Sequence, residues 1–111
     1  MAQGPPAGTG EALSYGLDFS PEAEQDTRAA YLWYESKRCG LGEEFLFCVE
    51  AALALVRDNP FLGRKVHDRA RRIHTRRFPY GIVYGVEPRR IVVFALFHGH
   101  RDPEDWLRRV S

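Results

Sequence analysis

The seven residues from Ile91 to Phe97, IVVFALF, constrain the fold of this chain more than any other segment. Every residue in the run is apolar, so a strand built from it offers no polar face to water. Such a strand is typical of the centre of a sheet, where both of its faces are covered. We therefore expect a sheet with this segment as a central strand.

Further strands are predicted on both sides of a helical region. The second half of the chain has strand composition over 73–78, 80–86 and 90–98, with a proline between the first two and a Glu-Pro-Arg turn between the last two. Near the start of the chain, SYGLDFS alternates large apolar residues with small or polar ones. That period of two predicts a short, half-buried edge strand.

Two helices are predicted between the first strand and the others. In SPEAEQDTRAAYLWYESK, Ser20 is a typical N-cap and Pro21 a typical first helical residue. Gly40 and Gly42 end this helix and allow a tight turn, so the next helix is expected to lie antiparallel beside it. That helix, GEEFLFCVEAALALVRDNP, is expected to bury one stripe, which consists of Phe45, Cys48, Val49, Ala52 and Val56 and is widened by Leu53 and Leu55.

A short helix is predicted at the C-terminus, with Asp102 as its N-cap and Trp106 holding it against the sheet. The fold class is therefore α+β: an N-terminal strand, an antiparallel two-helix hairpin, a three-stranded antiparallel meander and a short C-terminal helix. FLGRKVHDRAR, at 61–71, is expected to be a linker. Residues 1–12 are expected to form a disordered leader, and residues 13–111 a single domain.

Composition narrows the class of protein. The chain has 111 residues, of which 44% are hydrophobic and 28% charged, as in one ordinary globular domain. It has no apolar stretch long enough to span a membrane and no secretory signal, so we expect a cytoplasmic location. Cys39 and Cys48 are then expected to be reduced thiols. No metal site or cofactor is expected, because neither cysteine has a nearby histidine and His98 and His100 lack a third ligand.

Charge is divided unevenly along the chain, although the net charge is only +1. Residues 1–63 carry 4 basic and 10 acidic side chains, whereas residues 64–111 carry 12 basic and 5 acidic ones. The two halves either pair with each other across the fold or leave the second half free for an acidic or polyanionic partner. GRKVHDRARRIHTRR, at 63–77, holds the densest group of cations.

The chain resembles the RelE/ParE superfamily of bacterial type II toxins, often called plasmid stabilisation proteins. The resemblance covers roughly residues 14 to 109. It rests on the order and spacing of YGLDFSPEAEQD, the helical hairpin ending in NPFLGRKV, the segment RRFPYGIVYGV and the terminal HGHRDPEDW.

The resemblance implies a growth-arresting toxin that a cognate antitoxin neutralises. Two activities occur in the superfamily: ribosome-dependent mRNA cleavage in RelE-like members and inhibition of DNA gyrase in ParE-like members. The fold does not choose between them. RRFPY is more similar to the ParE-like branch, and no Tyr or Lys follows HRDP. A gyrase inhibitor without enzyme activity is therefore the main expectation; a metal-independent endoribonuclease and an inactive toxin-fold binding module are the alternatives.

Site residues follow from these alternatives. For RNA cleavage, His98 is the candidate acid or base, since histidine titrates near neutral pH, and Arg77 and Arg101 are the candidate phosphate ligands. His98 and Arg101 are equally compatible with a surface strand end and a local ion pair. The expected antitoxin- or polyanion-binding residues are Arg64, Lys65, Arg69, Arg71, Arg72, Arg76 and Trp33. Trp33 is otherwise an ordinary core residue.

Overall fold

A computed structural model describes residues 15–99 and 102–110. The strands are β1 (Gly16–Phe19), β2 (Arg64–His67), β3 (Ala70–His74), β4 (Tyr80–Glu87) and β5 (Arg90–His98). The helices are α1 (Pro21–Lys37), α2 (Leu41–Asp58) and α3 (Glu104–Val110). The predicted α+β class and the N-terminal strand, helical hairpin, meander and C-terminal helix are confirmed. The leader expected at 1–12 lies outside the described residues.

The sheet has the strand order β1-β5-β4-β3-β2, so β5 is internal, as expected. It pairs in parallel with β1 on one side and antiparallel with β4 on the other. Ile91 and Val93 are fully buried on it and Ala95 is nearly so. The apolar run therefore has the double coverage that its composition requires.

The two long helices cover one face of the sheet. Ser20 caps α1, because its hydroxyl accepts a hydrogen bond from the Ala23 amide at 3.1 Å. The predicted buried stripe of α2 is confirmed for Phe45, Val49, Ala52, Leu53 and Val56. Leu55, expected to widen that stripe, is instead 56% exposed. It stands about 100° around the helix from Val56, on the side that faces water.

The meander is longer than the sequence predicted. Part of the segment expected to be a linker forms β2, which pairs antiparallel with β3. β3 begins at Ala70 and ends at His74, so the strand expected over 73–78 was misplaced. Thr75 closes a turn instead, because its hydroxyl donates to the Phe78 carbonyl at 2.8 Å and Arg77 adopts a positive φ of 71°. Arg76 and Arg77 therefore lie in a turn and not on a strand.

α3 covers the other face of the sheet. Asp102 caps it through a hydrogen bond from the Glu104 amide at 3.0 Å, as predicted. Trp106 is 4% exposed and packs against Phe97, which confirms that it fastens the helix to the sheet. None of the described helices is both long and apolar enough to cross a membrane. Cys39 and Cys48 are both free thiols.

Candidate functional site

A cavity of about 670 Å³ opens between α1 and the ends of β4 and β5. Its walls are mostly apolar or aromatic, with a few polar groups at the margin. They are formed by Gln25, Asp26, Ala29, Ala30, Trp33, Tyr34, Pro79, Tyr80, Leu96, Phe97 and His98. We call this the Trp33 cavity, and it is a candidate binding site because clefts of this size and composition commonly hold ligands.

A β-bulge turns His98 toward this cavity. The pairing of β4 with β5 shifts between Val83 and Tyr84, which leaves Phe94 as the extra residue of β5. Val93, before the bulge, packs under the helical hairpin, and after it Leu96 does so again while Ala95 packs beneath α3. His98 therefore shares the face of Leu96, whereas strict alternation from Val93 would have placed it on the α3 face.

His98 lies against an aromatic cluster. It is the register partner of Tyr80, and the two rings meet edge to face with centroids 5.6 Å apart. Tyr80 in turn contacts Tyr34 and Phe45, whose centroids lie 6.1 and 5.1 Å from its own. Burial raises the pKa of Tyr34. The histidine is thus held at the junction of strand and core, with its ring partly exposed.

Trp33 forms the outer wall. It is 56% exposed, although its ring packs edge to face on Tyr34 with centroids 5.0 Å apart. The ammonium of Lys37 lies over it, 4.7 Å from the ring centroid. Of the two predicted roles, exposure favours a contact surface over an ordinary core position, because large exposed aromatic residues are enriched in interfaces.

Asp26 forms the polar margin and was not singled out from the sequence. Pairing of β1 with β5 ends at Phe19 and Val93, so β5 continues without a β1 neighbour. The Asp26 carboxylate accepts a hydrogen bond from the Leu96 amide at 3.1 Å and binds Arg109 on α3 with a shortest N–O distance of 2.6 Å. This hydrogen bond raises the pKa of Arg109. In the sequence, Asp26 is one of several acidic residues early in α1. Such residues are expected there because they interact favourably with the helix dipole, so nothing marked Asp26 as part of a site.

Two of the three candidate catalytic residues, Arg77 and His98, are described, and they are not brought together. Arg77 donates to the Glu44 carboxylate on α2 at 2.8 Å and does not line the Trp33 cavity. Arg38 reaches the same carboxylate at 3.3 Å, and these partners, Arg77 first, lower the pKa of Glu44. Arg101 lies outside the described residues. His98 alone of the three is placed in the cavity.

The predicted basic surface is a β-hairpin. β2 and β3 place Arg64 opposite Arg72 and Lys65 opposite Arg71. Arg71 is used internally: it donates to the Gly63 carbonyl at 2.8 Å and covers the ring of Phe61. The other cations of the predicted set make no ion pair with any described carboxylate; they are Arg64, Lys65, Arg69, Arg72 and Arg76.

Pairing between the two halves of the chain accounts for part of the charge asymmetry, and the cations of the β2–β3 hairpin account for the rest. Arg77–Glu44, Arg90–Asp18 and Arg109–Asp26 join the basic second half to the acidic first half. The β2–β3 hairpin takes no part in this pairing. Its cations therefore remain available to an external anion. Within residues 15–99 and 102–110, no group of three potential ligands is arranged for a metal ion.

The fold and the two surfaces define a small α+β domain with an aromatic cavity on one side and a cationic hairpin on the other. A family model described as "ParE toxin of type II toxin-antitoxin system, parDE" matches residues 17–103, most of the chain. The chain therefore belongs to the ParE toxin family of type II toxin–antitoxin systems. The predicted resemblance to the ParE-like branch of the RelE/ParE superfamily is confirmed.

Structural comparison agrees on the fold. A solved structure described as "Chromosomal ParDE TA system from P. aeruginosa" superimposes with a TM-score of 0.65 at 16% sequence identity. The match covers 78% of this chain and 97% of that one. At this identity the likeness concerns the fold alone. Comparison with curated proteins gives no match.

Proposed function

We propose that this chain is a growth-inhibiting toxin that inhibits DNA gyrase in the cytoplasm and is neutralised by a cognate antitoxin. Family membership supports the toxin role, and a similar fold occurs in a structure described as a ParDE system. The lining of the Trp33 cavity is the observation that supports gyrase inhibition over RNA cleavage. Among the described residues that form it there is no Arg or Lys, whereas phosphodiester cleavage needs cations beside the reacting phosphate.

The antitoxin contacts the toxin through Trp33 and its cavity in this proposal. An exposed tryptophan beside an apolar recess suits the insertion of an apolar side chain from a peptide. Asp26 and Gln25 at the rim suit hydrogen bonds to that peptide. The cationic residues from Arg64 to Arg76 would add long-range attraction for an acidic segment of the same partner without forming its binding site.

The experiment is a pulse-labelling comparison. The chain is induced in bacteria that lack the antitoxin, and incorporation of labelled thymidine and labelled methionine is followed through the first minutes. Gyrase inhibition should reduce thymidine incorporation first, and purified toxin should block DNA supercoiling by gyrase. An early fall in methionine incorporation with unaffected supercoiling would contradict the gyrase target.

The ribosome-dependent endoribonuclease is the second candidate, supported by the placement of His98 beside Tyr80. It makes a separate prediction: His98→Gln should abolish growth arrest while antitoxin binding is retained. Under the gyrase proposal the same variant should still arrest growth. An inactive binding module, the third candidate, requires that the unneutralised chain have no effect on growth at all.

A further inference from the structure

The β2–β3 hairpin carries like charges directly opposite each other. Arg64 faces Arg72, and Lys65 faces Arg71, in consecutive register positions. Like charges at opposed positions destabilise a strand pair. Of these four cations, only Arg71 donates side-chain hydrogen bonds within the described chain, to the carbonyls of Phe61 and Gly63, and these bonds offset its repulsion with Lys65. The Arg64–Arg72 pair therefore retains its repulsion in the isolated protein.

Arg72 gives a second, independent indication. Its Nε is buried and has no hydrogen-bond partner in the described structure. An arginine can only donate, so no described oxygen offsets the burial of this N–H, and an anion bound at the outer nitrogens of the same guanidinium would compensate for it electrostatically. Arg72 is the register partner of Val83, which packs beneath α3, so both Arg72 and Arg64 point to the α3 face of the sheet.

We infer that the Arg64–Arg72 pair is a phosphate-binding site for the backbone of duplex DNA. An anion between the two guanidinium groups would remove their repulsion and accept hydrogen bonds from their outer nitrogens. The inference rests on the proposed function, because a toxin that acts on gyrase meets duplex DNA at its target.

The character of this surface favours a duplex over a peptide or a single strand. Recognition of a peptide normally needs apolar anchors, and a single strand needs aromatic faces for its bases to stack on. The aromatic residues described beneath α3 are Phe94, Phe97 and Trp106; Phe97 and Trp106 are buried, and Phe94 is partly buried. Cations without a fully exposed aromatic residue on the same face suit contacts to a phosphate backbone, which carry affinity without sequence.

The test is the salt dependence of DNA binding by the full chain, measured by fluorescence anisotropy with a labelled duplex of about 20 base pairs. Each phosphate contact contributes roughly −0.9 to the slope of log K against log salt concentration. Arg64→Gln/Arg72→Gln should make the slope shallower by roughly two units and weaken binding on the order of tenfold or more. An unchanged slope in this variant would overturn the inference.

Two controls keep the result interpretable. Arg28→Gln/Arg38→Gln removes the same net charge from the helical hairpin on the opposite face, and its slope should stay within about half a unit of wild type. Arg64→Gln alone changes one exposed side chain of the pair, so it tests the site, with a slope shallower by roughly one unit, if replacement of the partly buried Arg72 prevents folding. If polyglutamate binds through Arg64 and Arg72 while duplex DNA does not, the surface recognises acidic peptides and the inference is wrong.

Failure of this inference can be told apart from failure of the proposed function. A wild-type chain that inhibits gyrase but shows no DNA affinity contradicts the phosphate site alone. A wild-type chain that binds the duplex through Arg64 and Arg72 without inhibiting gyrase contradicts the gyrase target alone.

Discussion

The Trp33 cavity and the β2–β3 hairpin differ in the kind of ligand that each would suit. The cavity is a recess of aromatic and apolar walls in which a bulge has fixed the direction of His98. The hairpin is a nearly flat cationic surface whose charges are left unpaired by the carboxylates of the described chain. Shape and burial would select a partner at the first surface, whereas charge would attract one at the second. On our two proposals, a single small domain binds two partners at separate sites.

The β2–β3 hairpin is held in place at its base by the hydrogen bonds of a buried tyrosine. The Tyr84 hydroxyl donates to the Pro60 carbonyl at 2.8 Å and accepts from the Gly63 amide at 2.9 Å, both in the interior. Tyr84→Phe should lower the free energy of unfolding by about 3 kcal/mol, because two buried backbone groups lose their partner. Chemical denaturation measures this.

Tyr15→Phe is the matched control, since the Tyr15 hydroxyl makes no hydrogen bond to any described residue. It should change stability by less than about 0.5 kcal/mol. A loss below about 1 kcal/mol in Tyr84→Phe would mean that the hairpin base relaxes, so that the cationic surface is less fixed than the cavity.

Trp33→Ala should separate binding from stability at the cavity. Because Trp33 is 56% exposed, the fold should lose little, while affinity for the antitoxin should fall by about 2 kcal/mol, or roughly thirtyfold. Calorimetric titration with the antitoxin measures the change. Leu32→Ala, at a neighbouring exposed position that does not line the cavity, should leave affinity almost unchanged. Equal losses in the two variants would show that the cavity is not the antitoxin contact.

Arg109→Met tests whether α3 is coupled to the cavity margin. The ion pair with Asp26 is largely shielded, with 24% and 19% of the two side chains exposed. Its loss should cost about 1 to 2 kcal/mol of stability, since Asp26 keeps the Leu96 amide as a donor. Arg108→Met, on the exposed side of the same helix, should be neutral. A neutral Arg109→Met would show that α3 is held by the packing of Trp106 and Val110 rather than by the ion pair.

Sequence patterns predicted the helices better than the β2–β3 hairpin. Ser20, Asp102 and the buried stripe of α2 followed rules that depend on neighbours a few residues apart, so the helices were predicted well. β2 was missed because RKVH has no apolar alternation and is a strand only through its pairing with β3. Its cations were identified from composition, but their mutual opposition is a matter of register, which composition does not contain.

The cavity depended even more on long-range contacts. His98 was correctly seen to end a strand, but its direction depends on a bulge that neither strand encodes by itself. The contact of Asp26 with Arg109 joins residues 83 positions apart. The sequence pattern predicted that Arg77 lies on a strand. It lies instead in a turn, because the Thr75 hydroxyl donates to the Phe78 carbonyl across it. Local pattern thus predicted the helices and the strands β1, β4 and β5, whereas tertiary contacts determined β2, the bounds of β3 and the site.

Glu44 offers the smallest test, and it concerns the ion pairs that hold the turn before β4 rather than either binding surface. Hydrogen bonds from Arg77 and Arg38 keep the pKa of Glu44 below its ordinary value of 4.5. A carboxyl with a lowered folded-state pKa stabilises the protein above its unfolded-state pKa. That contribution is lost as the pH falls through the folded-state value. Wild type should therefore be slightly more stable than Glu44→Gln at neutral pH, and the difference should shrink toward zero as the pH falls below 4.5.

Urea denaturation of both proteins at about pH 7 and about pH 3 measures this difference. Glu50→Gln is the control, because Glu50 is exposed on the same helix and pairs with no described cation. It should be neutral at both values. Added salt should reduce the Glu44 effect at neutral pH, since its partners are largely exposed. A difference that persists at low pH would mean that Glu44 acts through packing rather than charge, and the turn carrying Arg77 would then be held by Phe78 and Thr75 instead.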